Sequence, residues 1–131
     1  MQPRNKSQIG NPQSQIKNHS MAHHTSDIKF QIGLDENKVP EVMDWSASDG
    51  GINHAAAKAM LLSVWDKRNQ ETLRIDLWTK DMMADEMKQM IHQTLVGLSD
   101  SLERATGEKE AADYMRKFAH DLGVKMDLFK K

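Results

Sequence analysis

Cysteine is missing from all 131 residues, which excludes a disulfide framework and any thiolate nucleophile or metal ligand. Nothing in the chain calls for an oxidising compartment. No apolar stretch approaches the roughly 20 residues that a spanning helix needs, and the N-terminus has no hydrophobic leader core. Membrane insertion is therefore not expected, and the cytoplasm is the expected location. Charge of one sign is also wanting: the net charge of -1 gives no global attraction to nucleic acid or to an anionic membrane. Aromatic residues are only 5% of the chain, so each of the three tryptophans carries information about its place. Prolines number three and leave long stretches free for regular structure.

What is present suits one soluble globular domain, with 38% hydrophobic and 28% charged residues. Residues 1–26 stand apart. They hold Arg4, Lys6 and Lys17 but no acidic residue before Asp27, and Ile9 and Ile16 are their only branched aliphatic side chains. Too little apolar surface is available to bury, so a disordered tail is expected, followed by a single domain over 27–131.

From Ile28 the hydrophobic period is two. Ile28, Phe30, Ile32 and Leu34 alternate with Lys29, Gln31 and Gly33, which predicts a strand with one buried face. A polar turn at Asp35–Lys38 leads to a second strand with Met43, Trp45 and Ala47 on one side. Pro40 cannot donate to a ladder, so it belongs before the pairing or on an edge. Ala56, Ala57, Met60, Leu61, Val64 and Trp65 then recur at helical spacing, with Asn53 as N-cap, and predict a helix to about Lys67. Leu73, Ile75 and Leu77 alternate with Arg74, Asp76 and Trp78 in a third strand. Met83, Met87, Met90, Ile91, Leu95, Leu98 and Leu102 form the stripe of a long helix over about 83–105. Asp85 and Glu86 sit at its start and Gly107 beyond its end. A last helix begins at Lys109. The expected fold is α+β, in the order β-β-α-β-α-α, as a three-stranded antiparallel sheet with helices packed on one face.

A constellation for catalysis does not emerge. Gly50-Gly51 lacks the third glycine and the lysine of a phosphate loop. His92 has no second histidine at metal-ligand spacing, and His54 and His120 stand alone. Asp44, Asp76 and Asp81 are the carboxylates available for acid–base work, but each falls on a polar strand face or in a turn. No catalytic, cofactor-binding or metal-binding residue is assigned, and no enzymatic activity is expected. Trp45 and Trp65 follow apolar stripes and are expected in the core. Trp78 shares its face with Arg74 and Asp76, opposite the apolar residues, which leaves it on the open side of the sheet. Trp and Arg are enriched at interface hot spots, so Arg74, Asp76 and Trp78 are the candidate protein-binding residues, with Met82 as an exposed neighbour. Met82, Met83, Met87 and Met90 cluster at the start of the long helix, and flexible thioethers suit a groove that accepts peptides.

The runs LDENKVPEVMDWSASDGG, AKAMLLSVWDK and TLRIDLWTKDM, with DEMKQMIHQTLVGLSDSLERATGEKE, resemble the GldC family of gliding members of the Bacteroidota. The resemblance implies a non-enzymatic accessory protein of gliding motility and its associated secretion machinery, acting by protein–protein binding. It transfers no catalytic residues. The expected partner is a motility or secretion component, and a second copy docking through the open sheet face is the other candidate. The competing reading is a peptide-binding, secretion-chaperone-like module that uses the Met-rich groove.

Overall fold

The computed structural model describes residues 22–130, so most of the expected tail lies outside the described residues. The chain divides into two compact units, one up to Met60 and one from Leu61. The first unit is a three-stranded antiparallel sheet of β1 (Ile28–Leu34), β2 (Pro40–Ala47) and β3 (Ile52–Ala56), in that spatial order. The two expected strands pair antiparallel: Ile32 faces Met43 and Phe30 faces Trp45, whose rings stack with centroids 5.9 Å apart. Met43 is buried and Val42, its neighbour on the other side, is exposed, as the period of two requires. The Asp35 carboxylate closes the turn by accepting from the backbone N–H groups of Asn37 (2.8 Å) and Val39 (3.0 Å). Pro40 opens β2 opposite Leu34, short of the part of β2 that also pairs with β3.

The helix expected over 53–67 does not form. Two strands occupy that stretch, β3 and β4 (Ala59–Asp66). The stretch is taken up by strand pairing, β3 with β2 and β4 with the strand that follows it, and His54 within β3 has a left-handed φ of 51° that no right-handed helix contains. Its N–H donates to Ser46 Oγ (3.0 Å) and its ring lies 3.3 Å from Asp44, which tie the distorted residue to β2. Asn53 is a strand residue and caps nothing. With helix one gone, Trp65 is 65% exposed instead of buried.

The second unit begins with the remainder of β4 and with β5 (Glu71–Trp78), which form a separate two-stranded sheet. Their turn is held by Gln70 N–H to Asp66 O (2.9 Å) and by Asn69 N–H to the Asp66 carboxylate (2.6 Å). The α+β class is as expected, but the third predicted strand pairs with a strand hidden inside the predicted helix. Two helices follow, α1 (Ala84–Thr106) and α2 (Lys109–Lys125). Glu86 returns its carboxylate to the Met83 N–H at 2.8 Å, and Gly107 adopts φ 76° and donates to Glu103 O. Small residues let the helices approach: Ala112, Ala119 and Ser99 are fully buried, and the Ser99 hydroxyl donates back to Leu95 O. Arg116 bridges the pair, reaching Asp100 (3.0 Å) and Glu103 (2.7 Å) on α1 and Asp113 (2.7 Å) on its own helix.

A candidate protein-binding groove

Strand β5 sets two faces by alternation. Arg74, Asp76 and Trp78 project to one side, and Leu73, Ile75 and Leu77 to the other. The Arg74 guanidinium donates to Asp76 (2.6 Å) and to Ser63 on β4, so Ser63 and Arg74 share a face, and Leu61 lies two residues before Ser63. Beyond Trp78 the chain turns sharply. Thr79 is buried, donates its hydroxyl to Asp81 (2.5 Å) and accepts from the Met82 N–H (3.1 Å). This turn delivers the first turns of α1 to the Trp78 side of the strand, the side expected to stay open, and Leu73 and Ile75 on the opposite face are the exposed ones.

A groove of about 530 Å³ results, lined by Leu61, Arg74, Asp76 and Trp78 from the strands and by Met82, Met83, Ala84, Met87 and Ile91 from the turn and helix. The four candidate residues Arg74, Asp76, Trp78 and Met82 therefore stand together, and the hot-spot face and the methionine cluster are one place. Its walls are apolar except for the Arg74–Asp76 pair. Trp78 is 53% exposed and Met83 63%, so large apolar surfaces lie open to solvent in a concave site of ligand size. Leu61 and Ile91 were not legible as site residues. Leu61 falls on the stripe of a predicted helix, and Ile91 reads as ordinary stripe; only the period-two pattern Leu61, Ser63, Trp65 hints at the former.

Outside the groove, the other chemistry-bearing residues are engaged separately. Asp44 meets His54, and Asp81 accepts from Thr79. His92 and His120 sandwich the Phe129 ring, edge-on at 5.5 Å and stacked at 5.3 Å. Among the described residues no three acidic or histidine side chains gather in a way that would hold a metal ion. The carboxylates held below their ordinary range sit elsewhere: Asp49 beside His24 and Ser26, Asp113 between Lys109 and Arg116, and Asp121 beside Lys117.

Strand alternation, a sharp turn and a methionine-rich helix start define a small α+β protein with an open apolar groove. No helix among the described residues is long and apolar enough to cross a membrane. A family model for gliding motility-associated GldC-like proteins matches residues 40–128, and the chain belongs to that family. The matched stretch holds β2 to α2 and the whole groove. No curated protein and no solved structure matches the chain.

Proposed function

We propose that this gliding motility-associated protein is a cytoplasmic accessory factor that catalyses no reaction and works by binding an apolar segment of a protein partner in the Trp78 groove. The partner is a component of the motility apparatus or of its secretion machinery. The observation that carries this reading is the meeting of an exposed indole, a guanidinium–carboxylate pair and flexible thioethers in one concavity. An aromatic anchor supplies contact area at low entropic cost, the methionines adapt to the shape of the ligand, and the ion pair orients it. The binding-patch and peptide-groove readings thereby become one proposal, in which the ligand is a peptide segment and not a folded face.

Affinity purification of the full chain from its native cell tests this. Trp78→Ala is expected to lose the captured partner while Trp65→Ala, which removes another exposed indole outside the groove lining, retains it. Equal capture by both variants would remove the groove from the model of binding.

A further inference from the structure

Strand β5 is an edge. β4 pairs along one side of it, and no strand among the described residues pairs along the other. Natural edges are blunted by proline, by charged side chains of one sign, lysine above all, by bulges or by shortness. The eight residues ETLRIDLW contain no proline, lysine or glycine, and their charges, Glu71, Arg74 and Asp76, are of both signs, so a strand with the opposite charges in register meets no barrier. A two-stranded ribbon is marginal in water by itself, and on this one Leu73, Ile75 and Val64 are each about half exposed. The edge is thus long, open and apolar on one face.

We propose that β5 pairs antiparallel with β5 of a second copy, about a two-fold axis through Ile75. Charge complementarity selects this register. With Ile75 opposite itself, Arg74 faces Asp76 of the second copy and Asp76 faces its Arg74, so two opposite-charge pairs form. Leu73 then faces Leu77 of the second copy, so Leu73, Ile75 and Leu77 of both copies share one face of a four-stranded sheet, while Trp78 lies on the other. Centring the pairing on Arg74 sets two guanidinium groups against each other, and centring it on Asp76 opposes two carboxylates. A slip by one residue puts apolar side chains opposite charged ones. The existing 2.6 Å bond between Arg74 and Asp76 becomes half of a four-membered network.

Light scattering on the purified full chain at about 100 μM, where a dimer of micromolar affinity is nearly saturated, is expected to give twice the chain mass. Arg74→Glu and Asp76→Lys, each alone, replace two attractive pairs by two repulsive ones and should weaken self-association about tenfold or more. Mixing the two variants restores opposite charges at both positions and should restore the dimer. A monomeric wild type, single variants as dimeric as wild type, or two folded variants that stay monomeric when mixed would each overturn the proposal. Because the chain has no cysteine, cross-linking gives a readout independent of the charge variants. Ile75→Cys should oxidise to a covalent dimer and Leu73→Cys should not, since only the former meets itself across the axis. Equal cross-linking of both, or of neither, also overturns it; pairing with a foreign strand would produce the latter.

Discussion

Phe129 closes the end of the helical hairpin by lying over Gly123 between two histidines. A Cβ at position 123 would come within 2.7 Å of that ring and 3.2 Å of His92, so Gly123→Ala must shift the ring. Alanine is intrinsically the better helix former by about 1 kcal/mol, which opposes the loss of the ring contacts. The two effects separate in a double-mutant cycle followed by urea unfolding. Gly123→Ala is expected to destabilise the wild type but to stabilise the Phe129→Ala background by up to about 1 kcal/mol. The same sign in both backgrounds would show that the ring does not hold the glycine in place.

Titration also belongs to single residues. Asp113 and Asp121 are held below their ordinary value, first by hydrogen bonds from Lys109 and Lys117. A lowered carboxyl adds stability that is complete above its unfolded value of 3.8 and is lost as pH falls through the folded value. Lys109 is raised by Asp113, so its share is complete below 10.5 and disappears as pH rises beyond that. Stability is therefore expected to decline below about pH 4, and Asp113→Asn should flatten that decline in thermal melts across pH. An unchanged acid limb in the variant would take Asp113 out of the linkage.

At the scale of elements, the α1–α2 contact depends on small side chains. Ala119→Leu forces a branched side chain into a fully buried site and should cost about 1–3 kcal/mol by urea unfolding. Arg116 lashes three carboxylates with one planar fork, a geometry that lysine cannot reproduce. Arg116→Lys is expected to lower the melting temperature, and the difference should shrink at high salt because the network is solvent-accessible. The bounds of these helices were legible in the sequence, since Asp85 and Glu86 at the start and Gly107 at the cap agree. Met83, Ile91 and Leu98 of the expected stripe are exposed, however, and Ser99 is the buried residue of α1. The β1–β2 hairpin was legible too, since its period of two has no rival. Residues 53–66 were not. Met60, Leu61, Val64 and Trp65 fit a helix, while Met60, Leu62 and Val64 fit a strand equally well. The deciding facts, the backbone of His54 and the pairing of β3 with β2, are non-local. The site followed suit, because its strand and methionine parts could be named from sequence while their meeting depended on the turn at Thr79.

For the whole molecule, self-association through β5 links folding to concentration. Partner binding to the native state stabilises it by mass action, so the melting temperature should rise between dilute and concentrated samples. Arg74→Glu should move that dependence to about tenfold higher concentration or beyond, and an unmoved dependence in that variant would point to a different contact. The groove carries a separate liability. Met83 stands at its lip with most of its thioether in water, so peroxide can reach the sulfur without any unfolding. Oxygen added there turns a soft, pliable lip into a polar one. Oxidant stress would thus silence binding while leaving the fold intact, until a sulfoxide reductase reversed it.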